Sequence, residues 1–176
     1  MSILGLLLVV FASPSPAGPP QKPCAGPEHR QFDFWVGDWD LKVRVRSAPD
    51  KETWDEATAT QKIESILGGC AISESFAADG PGSPWAGKSY SVWQPAMKKW
   101  RQTWVDDQGS YIALTGGVED GVMTLYGEPV TRQGKTIRMR MVFLDVKKDS
   151  LRWEWQREGE GKTWKPMMVI DYKRRR

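Results

Sequence analysis

From Asp38 onward the sequence alternates with period two. Trp39, Leu41, Val43 and Val45 fall on one face of an extended chain, and Asp40, Lys42, Arg44 and Arg46 on the other. That alternation describes a strand with one face buried and the other in water. It recurs in Ala57–Ile66, Cys70–Ala77, Lys88–Trp93, Trp100–Asp106 and Tyr111–Thr115. It recurs again in Val122–Glu128, Thr136–Leu144, Leu151–Arg157 and Trp164–Tyr172. Turn signals separate these runs: Gly68-Gly69, the loop Ala78–Gly87, Pro95–Lys99, Gln108-Gly109, Gly116-Gly117, Asp120-Gly121, Gln133-Gly134, Lys148-Asp149 and Gly159–Gly161. Short strands at roughly 8–12-residue spacing with little helical periodicity predict an all-β fold. Hairpin turns in sequence favour an antiparallel up-and-down barrel of about ten strands over a Greek-key sandwich, and closure leaves no exposed sheet edge.

The 176 residues suit one domain. We divide them into a signal peptide (1–17), a Pro-rich lead-in (18–30) and a barrel domain (31–176). Ile3–Ala12 is a continuous apolar run, too short for a bilayer, which needs about 20 residues. It fits the core of a secretory signal, with Ser15 and Ala17 as small cleavage-site residues, although Met1 and Ser2 supply no basic residue before it. The expected mature chain is exported, periplasmic or secreted, with no membrane span. Lipid attachment at Cys24 is disfavoured, because Gln21-Lys22-Pro23 is not the small, apolar lead such a site wants. In an exported chain two cysteines, Cys24 and Cys70, predict a disulfide.

The net charge of +3 is too small to argue for nucleic acid, and most of the excess sits in Lys173–Arg176, which reads as a solvated or frayed tail. The basic and aromatic residues of Lys98–Arg101 read as a hairpin entering a strand rather than a nucleic-acid contact.

Five ordered segments, QFDFWVGDWDL, LGGCAISE, YSVWQPAMKKWRQTWVDDQGSY, GVMTLYG and GKTWKPMMVIDY, together resemble a bacterial family known as domain of unknown function fifteen seventy-nine. The resemblance spans Gln31–Tyr172 and implies a lipocalin-like, calycin-type barrel. The G-x-W at Gly37–Trp39 is also similar to the opening strand of lipocalins. The family has no settled activity, so it implies no catalytic residues. Nitrobindin-type haem proteins share a ten-stranded barrel and a G-x-W opening, but hold iron through a barrel His. The single His here, His29, precedes the first strand. We therefore expect no haem, no other cofactor and no metal.

Parity then nominates site residues. Trp100, Gln102, Trp104 and Asp106 share one face; Cys70, Ile72, Glu74 and Phe76 share another. A polar residue on such an apolar face needs a partner or a purpose. Arg138 and Arg140 alternate with Met139, Met141 and Phe143; the favoured reading sends both Arg to solvent, the other turns them inward to clamp a carboxylate. The candidate ligand-binding residues are Glu74, Tyr90, Gln102, Trp104, Asp106 and Arg140, suited to a small hydrophobic or amphipathic molecule. Trp54 and Trp85, in loop-like segments, would rim the mouth; Trp164 would cap the last hairpin. Two further readings stand: an enzyme pairing Glu74 with Asp106 as acid and base, and a solid-core interaction module. No nucleophile motif or phosphate loop is present. The aromatic stretch Phe32–Trp35 is expected to close one barrel end, tethered by Cys24, with Trp39 opening the first inward row.

Overall fold

The computed structural model describes residues 24–79 and 84–176. The expected signal peptide and the lead-in before Cys24 lie outside the described residues. Strands β1 (Gly37–Arg46), β2 (Trp54–Ile66), β3 (Ala71–Asp79), β4 (Trp85–Gln94), β5 (Lys99–Asp106), β6 (Tyr111–Glu119), β7 (Val122–Gly127), β10 (Met139–Leu144), β11 (Ser150–Glu158) and β12 (Trp164–Arg174) form a closed barrel. Two short strands, β8 (Val130–Arg132) and β9 (Lys135–Ile137), make a separate hairpin. Every barrel neighbour is antiparallel, and β1 closes the circle against β12, with Val43 opposite Ile170. This is the expected meander.

The alternation of the sequence becomes the alternation of the wall. Trp39, Leu41 and Val43 are buried in β1 while Asp40 and Lys42 are exposed. Tight turns carry the chain between strands: at Asp120-Gly121 both residues adopt positive φ (49° and 81°), the combination of a two-residue hairpin turn. Several boundaries differ from expectation. β6 runs through Gly116-Gly117, read as a turn, because both glycines pair with β7, and β2 begins at Trp54, read as loop, which pairs with Arg46. β4 begins at Trp85, inside the segment read as loop, because Ala86 and Gly87 pair with Ala77 and Phe76. The expected strand Thr136–Leu144 is interrupted at Arg138, whose carbonyl accepts from the Glu158 amide at 3.0 Å; the residues before it turn away to pair with β8.

One end is plugged. Two short 3-10 turns, Pro27–Arg30 and Asp33–Trp35, lead into β1. Phe32, fully buried, meets Trp100 edge-on at 4.7 Å and Phe143 at 5.6 Å between ring centroids. Trp35 meets Phe143 at 5.1 Å, and the Trp39 indole N–H donates to the Trp35 carbonyl at 2.8 Å. The Cys24–Cys70 disulfide fastens this plug to the start of β3.

The C-terminal residues are a second fastening, not a frayed tail. Arg174 Nη1 donates to the Val36 carbonyl (2.8 Å), Nη2 to the Phe34 carbonyl (3.4 Å) and Nε to the Lys148 carbonyl (2.9 Å). Its guanidinium lies 4.0 Å from the centre of the Trp39 ring. Arg175 pairs with Asp40 at 3.0 Å. Arg174 passes so close to Gly37 that a Cβ there would lie 2.1 Å from Nη1, and Gly37 also takes a φ of 140°. The position therefore requires glycine.

Candidate functional site

Beyond the plug the barrel is not solid. A cavity of about 210 Å³ opens toward the other end. Its floor is formed by Trp35, Gln61, Glu74 and Tyr172, all buried. Its walls are largely aromatic: Phe76, Trp85, Trp104, Trp153 and Trp155, with Ile112, Met141 and Met168 between them. Asp106 and Ser110 stand toward the open end. The aromatic rings support one another edge-on, Phe76 with Trp85 at 4.8 Å and Trp85 with Trp104 at 6.0 Å. Trp153 and Trp155, two residues apart on β11, stack with an interplanar angle of 6°.

Glu74 is the deep acidic group. It faces inward with Ile72 and Phe76 because β3 alternates them with Ser73 and Ser75. The Gln61 amide donates to one carboxylate oxygen and the Ser89 hydroxyl to the other. Gln102 Nε2 donates to the Ser89 hydroxyl at 3.1 Å, extending the network to β5. Burial pushes the Glu74 carboxyl up to about 7, against the opposing effect of Ser89 and Gln61. Burial and the Glu74 charge together push the Tyr172 hydroxyl well above its ordinary value. The Trp35 indole and the Gln61 side chain oppose that shift from beside the Tyr172 hydroxyl, and the Gln61 carbonyl oxygen has no hydrogen-bond partner. Buried polar groups are normally satisfied, so the Gln61 oxygen is unused acceptor capacity at the cavity floor.

Asp106 differs in every respect. Partial burial alone would raise its carboxyl. The Trp104 indole, the Ser110 backbone and side chain, and Trp85 outweigh burial and hold it at about 2. The distances are 3.0 Å from Trp104 Nε1, 2.9 Å from the Ser110 amide and 3.1 Å from the Gln108 amide. Glu74 and Asp106 line the same cavity, but none of their hydrogen bonds joins them.

Parity reasoning thus places Glu74, Gln102, Trp104 and Asp106 at the cavity. It misplaces Tyr90. That side chain is 57% exposed on the outer face, because Ser89 and Ser91, both buried, take the inward positions of β4. Arg140 also stands outside the lining. Its Nε donates to Gln156 Oε1 at 2.7 Å and its guanidinium lies 4.3 Å from the Trp164 ring centre, while Met141 points into the cavity, as the solvent reading of the Arg pair expects. Trp85 lines the cavity. Trp54 does not; it lies beneath Arg46, whose guanidinium is 4.7 Å from its ring. Trp164 begins β12 beside Tyr126, at 6.1 Å. His29 lies in the first 3-10 turn, at the plugged end. Among the described residues no group of three or more His, Cys, Asp or Glu side chains could hold a metal ion. Among them, too, no helix is long and apolar enough to cross a membrane.

Gln61, Ser89 and Tyr172 escaped sequence reasoning. They matter through Glu74: β2 and β4 flank β3 in one meander, with Ser89 directly opposite Glu74, whereas Tyr172 of β12 arrives only when the barrel closes. The inward parity of Gln61 between Ala59 and Ile63 was the one signal available.

Solved structures show the same architecture at low identity. The chain is similar to the crystal structure of Rv2717c from M. tuberculosis, with 14% identity and a TM-score of 0.61 over 86% of this chain and 99% of that one. It is also similar to the S-type phycobiliprotein lyase CPES from Guillardia theta, with 12% identity and a TM-score of 0.53 over 82% and 90% of the two chains. At these identities the likeness establishes the lipocalin-like fold alone. No curated protein matches the sequence. Residues 24–174, the whole barrel with its disulfide, match the family described as Protein of unknown function (DUF1579), and the chain belongs to that family.

Proposed function

We propose that this protein is an exported, noncatalytic binder of a small hydrophobic or amphipathic molecule, held inside the barrel. The observation that carries the reading is the cavity: an aromatic wall and a polar floor with an unpaired acceptor, in a barrel whose other end is sealed. A volume of about 210 Å³ lies below the 300–1,000 Å³ typical of drug-sized pockets, at roughly the scale of a single-ring compound. A polar floor beneath apolar walls fixes the orientation of an amphipathic guest. The disulfide supports export, since such bonds persist in oxidising compartments. Geometry gives little to the acid–base reading, because Asp106 is held by Trp104 and by backbone amides rather than aimed at Glu74.

Native mass spectrometry of the purified protein is the direct test, paired with Trp fluorescence during titration with lipids and small aromatics. A bound molecule, or a saturable shift quenched by Trp104→Phe, supports the reading. No copurified mass and no response across a broad panel would sink it.

A further inference from the structure

The cavity has a sign. The chain carries 25 Lys and Arg, yet among the described residues none lines the cavity, while two carboxylates do. Five of the ten Trp line it as well: Trp35, Trp85, Trp104, Trp153 and Trp155. Aromatic faces attract cations through their quadrupoles, Trp most strongly. The floor also supplies acceptors. Each Glu74 oxygen receives one hydrogen bond and keeps a further lone pair. The buried Gln61 carbonyl oxygen, 4% exposed as a residue, has no partner at all. An ammonium group brings donors and a positive charge to such a place. A carboxylate guest would instead set its charge against Glu74 and Asp106, with no guanidinium or ammonium to receive it.

We infer that the preferred guest is a small hydrophobic amine, its ammonium at Glu74 and Gln61 and its apolar body between the tryptophans. This rests on the ligand-binding reading above and narrows it. A bound cation also favours ionised Glu74, so binding near neutral pH is accompanied by proton release. The titratable groups facing Glu74 are Tyr172 from β12 and, further along the cavity, Asp106 from β5; the other polar groups of the floor, Gln61, Ser89 and Gln102, are neutral.

Three probes with one apolar body decide the matter: phenylbutylamine, phenylbutanol and phenylbutyric acid, titrated by Trp fluorescence and calorimetry just above neutral pH. The amine is expected to bind roughly tenfold tighter than the alcohol, with the acid weakest. Calorimetry in buffers of different ionisation enthalpy should show the released proton. Glu74→Gln should collapse the amine-to-alcohol ratio to about twofold, with its fold checked by circular dichroism. Asp106→Asn, near the mouth, gives a second and smaller loss of preference if the first variant fails to fold. Equal binding of all three probes, or tightest binding of the acid, overturns the charge preference but leaves a ligand cavity standing. Silence from all three overturns the amine assignment, while the ligand reading itself falls only with the native mass spectra and the broad panel.

Discussion

Trp104 lies against Gly87, so closely that a Cβ built on that glycine would sit 2.1 Å from the indole ring. The two residues lie on adjacent strands, Gly87 opposite Asp106 across β4 and β5, and the empty space at Gly87 lets the Trp104 indole reach the Asp106 carboxylate. Gly87→Ala is expected to displace the ring, break its bond to Asp106 and lower stability by about 1–3 kcal/mol. Gly116→Ala should cost at least as much, because there the added carbon would meet backbone, the Thr124 carbonyl oxygen at 2.1 Å. Thermal melts of the two variants, with Trp emission spectra for the first, check both. Wild-type melting in either sinks the corresponding contact.

Glu74 links stability to pH. Its folded carboxyl titrates near 7 against an ordinary 4.5, so between those values the folded state holds more protons than the unfolded chain. Stability from this group is full below about pH 4.5 and is lost as pH rises through 7, by on the order of 3 kcal/mol. Glu74→Gln should flatten that part of the profile. Denaturant midpoints measured from pH 4.5 to 8 test the sign; a Glu74-dependent rise across the range would contradict it. Asp106, held at about 2, acts the other way and withdraws its contribution only as pH falls below its ordinary value.

Reducing the Cys24–Cys70 bond reopens a loop spanning a sequence separation of 46, a loss of about 4 kcal/mol in the chain-entropy account. Melting with and without reductant should show it, and Cys24→Ala with Cys70→Ala should match the reduced protein.

Phe32→Ala empties the centre of the plug. With Trp100, Phe143 and Trp35 all against the ring, the expected loss is about 3–5 kcal/mol. Unchanged stability would show that the plug does not hold the barrel.

Arg174→Ala removes three donations to carbonyls and the contact with Trp39. A loss of about 3 kcal/mol is expected. Arg174→Lys should recover little of it, because an ammonium cannot fork between Val36 and Phe34. Full rescue by Lys would reduce the role of Arg174 to simple charge.

What the sequence disclosed follows from period two. Where a strand buries alternate residues, as at Trp39–Val43 or Ile72–Phe76, its faces are legible one strand at a time. Where inward positions are small and polar, as at Ser89 and Ser91, the larger outward Tyr90 is the misleading signal. Trp164 lies beyond a register shift between Trp155 and Gln156, which local alternation does not reveal. Arg174 looked like one of a run of basic residues, since the carbonyls it serves lie 138 and 140 residues upstream. Tyr172 shares that difficulty, since it reaches the Glu74 floor only through barrel closure, while Gln61 and Ser89 lie 13 and 15 residues from Glu74 on its two neighbouring strands.

The closing seam between β1 and β12 has a consequence for how the protein is made. Arg44 and Asp171, which bond across it, are 127 residues apart. A nascent chain therefore lacks its final wall until β12 has been synthesised, more than a hundred residues after β1. Contacts of such sequence separation make folding slow, and until they form both β1 and β11 present open edges on which strangers can pair. The seam sets a long interval in which the chain is unfinished, and its open edges stay exposed to wrong pairing until the last strand arrives.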